Sequence, residues 1–260
     1  MCRLLGYLGK PIQLDRLLLK PEHSLVVQSY QPQEMTAGLL NADGFGLGWY
    51  HSEKEDLPYI YKNILPIWAD QNLSQVARYI TTSSAVGYVR SATPGLAIDI
   101  INCQPFTREQ VLFVHNGYIE NFRQTLYRPI RNLLEDQDYQ AIEGNTDSEH
   151  IWALINTYNQ GLGDLALALK MTLNRLTELA KEYSTDFSAN TIISERDRLV
   201  ISRYSDRDQA PTLYWIRDSF PFPDSVIIAS EPMFAGNWHT VAENSIMVVE
   251  QNLEVTFQQV

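Results

Sequence analysis

Cysteine is almost missing from this chain, with two in 260 residues, so no disulfide framework supports the fold. Positive charge is scarce as well. Lys and Arg total 20 against 31 Asp and Glu, a formal charge of −11. Nucleic acids and anionic membranes recruit clustered positive charge, and no Lys/Arg-rich run offsets the deficit, so neither is an expected partner. No apolar run reaches the ~18 residues of a membrane span. The opening residues, Met1-Cys2-Arg3-Leu4-Leu5-Gly6, lack the positive n-region and apolar core of a secretory signal. They also lack the Gly at position 2 that myristoylation requires. A cytoplasmic location is expected, where thiols stay reduced. Repeats, low-complexity tracts and Gly/Ser/Pro linkers are absent too, so residues 1–260 read as one domain. A chain of this length buries roughly 70–75% of the surface its unfolded form exposes, which is core enough without metal or crosslink. His23, His51, His150 and His239 show no metal-ligand spacing with cysteine or carboxylate. No metal and no cofactor are expected.

What is present begins at Cys2. If an aminopeptidase removes Met1, one residue carries both a thiol and a free α-amino group. Their reference pKa values are about 8.5 and about 7.7–8.0. The amine can then take the thiol proton near neutral pH and later return a proton to a leaving amine. Nucleophile and base arise from a single residue, with no histidine needed. Read alone, Cys2 is more simply a small apolar residue opening a strand.

Alternation and spacing predict a strand over 2–8 and a Gly-rich turn entering a strand at Asp43-Gly44-Phe45-Gly46-Leu47-Gly48-Trp49. Helical spacing links Leu73, Val76 and Ile80. Val86, Tyr88 and Arg90 share one face of a strand ending near Thr93-Pro94-Gly95, and Val111 to Val114 forms a short strand running into His115-Asn116-Gly117. Thr146 and Glu149 fit a capping box opening a helix through Ile151, Leu154, Ile155 and Tyr158. A second amphipathic helix spans about 164–182. Short β-rich runs follow at 190–194, 197–203, 212–217, 225–230, 245–250 and 253–257. Strands, helices and strands in that order imply sheets layered with helices.

Three short segments place polar groups beside turns or helix starts: Arg90-Ser91-Ala92-Thr93-Pro94, His115-Asn116-Gly117 and Asn145-Thr146-Asp147. One at a time they have plainer explanations: a surface ion pair for Arg90, a hairpin turn for Asn-Gly, a helix start for Thr-Asp. In this order, behind Cys2, they resemble the class II glutamine amidotransferases, a branch of the N-terminal-nucleophile hydrolases. The motifs cover roughly residues 2–155; the β-rich remainder matches in general character. Opening with Met-Cys-Arg and continuing to Asp43-Gly44-Phe45-Gly46 resembles the stand-alone subgroup that includes the amidohydrolase of ergothioneine biosynthesis.

The resemblance implies an α+β fold, a single-domain, four-layer αββα sandwich, and a site for a γ-glutamyl amide. Cys2 would attack the side-chain carbonyl and form a thioester. The Asn116 side-chain amide and Gly117 N–H would stabilise the oxyanion. Arg90, helped by Thr93, would grip the α-carboxylate in a planar fork. Asp147 would hold the α-ammonium. Larger relatives often carry an aromatic residue or His in the Arg segment, where this chain has Ser91-Ala92-Thr93, so the amine side of the pocket is expected to suit something other than ammonia. The leading expectation is hydrolysis of a γ-glutamyl amide, γ-glutamyl-hercynylcysteine sulfoxide first among them, with a small-molecule γ-glutamyl substrate or glutamine as the ligand. A glutaminase subunit passing ammonia to a partner synthase is the first alternative, and a non-catalytic ligand-binding or scaffold protein of the same fold is the second. His115, Cys103, Trp49 and Trp238 read as structural, and Ser230-Glu231-Pro232 has no assigned chemistry.

Overall fold

The structure is a computed structural model that describes residues 1–35, 38, 40–51, 55–92, 97–207 and 209–260. Among these described residues thirteen strands form two sheets. The first sheet contains β1 (Arg3–Gln13), β2 (Phe45–Trp49), β3 (Tyr59–Asn63), β4 (Thr81–Val89), β9 (Tyr214–Ser219), β10 (Phe222–Ala229) and β11 (His239–Thr240). Its order is β11-β9-β10-β1-β4-β2-β3. The second contains β5 (Phe106–Arg108), β6 (Val111–Ile119), β7 (Phe187–Ser194), β8 (Leu199–Arg203), β12 (Ser245–Val249) and β13 (Val255–Gln259), in the order β13-β12-β8-β7-β6-β5. All pairings are antiparallel.

The central strands are apolar on both faces, because both faces are covered. Strand alternation sends Leu4 and Leu8 of β1, Val86 and Tyr88 of β4, and Leu112 and Val114 of β6 into one core between the sheets. Leu5, Tyr7, Ala85 and Val89 point outward against α1 (Leu14–Leu18), α2 (Leu25–Tyr30) and α3 (Leu73–Tyr79). Phe113, Ile193 and Val200 point the other way, onto α6 (Asp147–Leu162) and α7 (Leu165–Glu182), with α4 (Tyr127–Arg131) and α5 (Asp136–Gln140) beside α6. The result is the αββα sandwich, in one domain. No helix among the described residues is long and apolar enough to cross a membrane.

Helices α6 and α7 follow their sequence signals closely. Thr146 Oγ1 accepts from Glu149 N at 3.3 Å, Gly163 closes α6 in the left-handed region at φ +61°, and Asp164 caps α7 by accepting from Ala166 N at 3.0 Å. Each fully buried Leu or Ile on these helices contributes roughly 1.5–3 kcal/mol. The return half of the expected capping box does not form. The Glu149 carboxylate instead accepts from the amides of Glu143 and Gly144, both at 2.8 Å.

The Gly-rich run has a packing role. A Cβ on Gly46 would collide with the Gln104 carbonyl, and one on Gly48 would lie 2.7 Å from Leu112 Cδ1. These glycines let β2 approach the second sheet, and that approach fixes which residues of β6 lie beneath β4. Trp49 and Trp238 pack in the outer core under α1–α3, as expected of structural residues.

Candidate active site

Residue Arg3 pairs with Val89, so β1 begins where β4 ends. Cys2 lies just outside this ladder, on the same face as Leu4 and packed against the inter-sheet core. Its Sγ is 3.1 Å from the Tyr88 hydroxyl. The Ser91 N–H donates to the sulfur at 3.4 Å, and the Ser91 carbonyl lies 3.7 Å away. Burial, reinforced by the neighbouring thiol, pushes the Tyr88 pKa well above its ordinary value. The phenol therefore stays protonated and is able to donate to the sulfur. The Ser91 amide thus donates to the Cys2 sulfur, and the Tyr88 hydroxyl lies within hydrogen-bond reach of it. At Met1 the α-amine is half-enclosed, and burial lowers its pKa. A Cβ on Gly38 would lie 3.6 Å from that nitrogen.

Arg90 is the next inward-facing residue after Tyr88 and is only 2% exposed. Among the described residues its guanidinium makes long hydrogen bonds, 3.3–3.4 Å, to the carbonyls of Asp43 and Ala97, and no carboxylate among those residues pairs with it. The Asp43 side chain accepts from Ala92 N at 2.7 Å and so shapes the turn that leaves β4. Thr93, the expected helper of Arg90, lies outside the described residues.

Asn116 and Gly117 do not form a hairpin turn. They sit inside β6, opposite Asn190 and Ala189 of β7. Alternation places the Asn116 side chain on the same face as Leu112 and Val114, toward the first sheet. It is 1% exposed, and its Nδ2 has no hydrogen-bond partner among the described residues. The backbone of Gly117 is oriented by the ladder. Ala189 donates its N–H to Tyr204, away from β6, so Gly117 N–H points to the opposite, β5 side of β6. Along that edge the N–H of His115 donates to Gln104 Oε1 and the N–H of Ile119 donates to Asp147 Oδ2 at 2.8 Å. The Gly117 amide lies between these two, past the last residue paired with β5. A Cβ at 117 would collide with the Ser188 carbonyl and the His115 ring.

Asp147 opens α6, where the helix N-terminus favours negative charge. Its other oxygen accepts from Ser148 N at 2.8 Å. His115 faces α6, with Nδ1 2.8 Å from Ser148 Oγ. Burial lowers its pKa against the pull of Asp147, which favours the neutral imidazole. The Arg90 and Asp147 halves of the site are bridged by Asn102. Its Nδ2 donates to the Ala97 carbonyl that Arg90 also uses, and its Oδ1 accepts from Asn145 N at 3.5 Å. Cys103 is fully buried, and burial raises its thiol pKa. Among the described residues no cluster of three or more His, Cys, Asp or Glu could hold a metal ion.

A family profile described as class II glutamine amidotransferases matches residues 19–258. The chain belongs to this family. It is thereby an enzyme acting on a γ-glutamyl C–N bond. It is 37% identical over 255 residues to the γ-glutamyl-hercynylcysteine sulfoxide hydrolase of Mycobacterium tuberculosis, covering 96% of this chain and 94% of that one. It is 31% identical to a probable glutamine amidotransferase of Saccharomyces cerevisiae, covering 96% and 82% of the two chains. In fold it matches a class II domain protein from Silicibacter pomeroyi, with a TM-score of 0.74 at 22% identity and 99% coverage of both chains.

The structure joins Cys2 to Tyr88 and Ser91 and links Arg90 to the segment before Asp147 through Asn102. Asn116 faces the first sheet from β6, and Asp147 sits at the start of α6. Tyr88 and Ser91 lie in stretches the sequence marks, but their contacts with Cys2 carry no signal along the chain. Asn102 carries no motif, because its partners are set by the fold.

Proposed function

We propose that this enzyme hydrolyses a γ-glutamyl amide through Cys2 after removal of Met1, releasing glutamate. The observation that carries the reading is the buried Asn116 amide, without a partner among the described residues, on the face of β6 that turns toward the first sheet, the sheet whose inner face Cys2 borders. An orphaned buried donor costs about 1–3 kcal/mol, a cost that makes sense where charge develops during catalysis. The Cys2 amine takes the thiol proton, and sulfur attacks the γ-carbonyl carbon. The oxyanion is met by Asn116 Nδ2 and Gly117 N–H. The amine returns the proton to the leaving nitrogen, and water then cleaves the thioester to give glutamate and free thiol. Arg90 grips the substrate α-carboxylate. Asp147, fixed at the start of α6, receives the α-ammonium.

The substrate supported best is γ-glutamyl-hercynylcysteine sulfoxide, on the identity to the mycobacterial hydrolase over nearly the full length of both chains. Protein with Met1 removed, verified by intact mass, should release glutamate from this sulfoxide far faster than from glutamine. Cys2→Ala should abolish that release with little change in melting temperature. Unaltered turnover in Cys2→Ala overturns the mechanism. The yeast relative supports a second reading, a glutaminase that passes ammonia to a synthase partner. Efficient glutamine cleavage only in the presence of that partner would select it. Met1 retained in protein from the native host would instead favour a non-catalytic role.

A further inference from the structure

The carboxylate of Glu231 is 1% exposed and takes no part in the proposed chemistry. It gathers Arg3 Nε at 3.1 Å, His23 Nε2 at 2.6 Å, and the N–H groups of Gln33 at 2.8 Å and Glu34 at 3.1 Å. Gln28 Nε2 holds the same residue by its backbone carbonyl at 3.1 Å, and reaches the His23 carbonyl at 3.0 Å. The preceding residue, Ser230, grips both main-chain groups of Leu4. Its Oγ accepts from Leu4 N at 2.9 Å, and its N–H donates to Leu4 O at 3.1 Å. Arg3, fully buried, then donates from Nη1 to the Cys2 carbonyl at 3.2 Å.

These contacts form a chain that ends at the residue proposed as nucleophile. Cys2 precedes the first ladder pair, and terminal residues fray unless tied down. A buried ion pair is a poor way merely to fill space, because apolar residues of similar volume often do so at equal or lower free-energy cost. Its benefit here is fixed geometry. The same carboxylate also holds the amides of a segment that runs on to Gly38, beside the N-terminal nitrogen.

We infer that Glu231 is a positioning residue, which sets the main chain of Cys2 through Arg3 and seats the 33–34 segment over the same end of the sandwich. The inference rests on Cys2 being the nucleophile. Misplacing a reacting group by about 1 Å is able to cost roughly a hundredfold in rate. Glu231→Gln keeps the side-chain shape but removes the charge. It should lower kcat about ten- to a hundredfold, leave KM within about twofold, and slow alkylation of Cys2 by iodoacetamide. Arg3→Gln should behave the same way. The double variant Arg3→Gln/Glu231→Gln removes both charges of the Arg3–Glu231 pair together, so it also serves if the single variants fold poorly. Its loss in kcat should be no greater than that of either single variant, because the two act through one contact. Wild-type kcat in a folded Glu231→Gln or double variant overturns the inference, as does additive loss in the double. Activity surviving in Cys2→Ala would instead overturn the nucleophile reading. Inactive Cys2→Ala beside fully active Glu231→Gln would overturn positioning alone.

Discussion

Replacing Asn116 with alanine should separate activity from stability. The amide nitrogen of Asn116 is buried without a partner among the described residues, which costs the fold, and in the proposed mechanism the oxyanion satisfies it. Losing one such donor typically removes about 2.7–4 kcal/mol of transition-state stabilisation, a hundred- to thousandfold in kcat. The ground state gains from the same change. An unsatisfied buried donor costs about 1–3 kcal/mol, and relief of that cost offsets the packing lost with the amide group. For a chain of this size each kcal/mol moves the melting temperature by roughly 2–4 °C. Asn116→Ala should therefore lose at least a hundredfold in kcat, hold KM within a few-fold, and melt at or a few degrees above the wild type. Steady-state kinetics and calorimetry on the same preparation test both halves. Wild-type kcat would show that the orphaned amide stabilises no oxyanion. A drop of 10 °C or more in melting temperature, an outcome on the order of 3 kcal/mol, would show that Asn116 is structural.

Arg90→Lys keeps the charge but loses the fork. Charge-assisted hydrogen bonds are worth about 1.5–3 kcal/mol, so KM for the γ-glutamyl substrate should rise roughly ten- to a hundredfold with a smaller change in kcat; an unchanged KM would place the carboxylate grip elsewhere. Stability should fall with acid through His150. Its Nδ1 lies 2.7 Å from the Thr146 carbonyl, Arg131 Nε donates to its Nε2 at 2.9 Å, and burial lowers its pKa from 6.5 to about 4. The unfolded chain binds the proton more tightly, so this contribution is fully present above pH ~6.5 and is lost as pH falls toward ~4, up to about 3 kcal/mol. Urea titrations across that window should show the slope, and His150→Gln should flatten it; an equal slope in the variant would assign the acid lability to other groups.

Elements long enough to show a period were legible in the chain itself. Helices α6 and α7 carry apolar residues at helical spacing with caps at the expected residues. The six C-terminal β-rich runs correspond to β7, β8, β9, β10, β12 and β13. The short helices α1, α2, α4 and α5, of five or six residues each, went unseen because a turn and a half holds too few residues to display a period. Asn116-Gly117, a turn signal taken locally, became strand interior because β7 pairs along its whole length. Glu149 abandoned the capping box because two free amides, at 143 and 144, lay nearer its carboxylate.

Sequence by itself determined which residues of β4 share a face, since alternation is a property of the backbone, and it set Cys2, Arg90, Asn116, Gly117 and Asp147 in the family's order. It also determined that the chain is acidic and built without a disulfide framework. Which inward face meets which was decided only in three dimensions. Gly46 and Gly48 bring β2 down onto Gln104 and Leu112, and the Cys2 sulfur meets the Tyr88 hydroxyl across the ladder. The Glu231–Arg3 pair joins residues separated by most of the chain. A period along one strand records direction but not distance, so contacts between strands of different sheets take their geometry from packing alone.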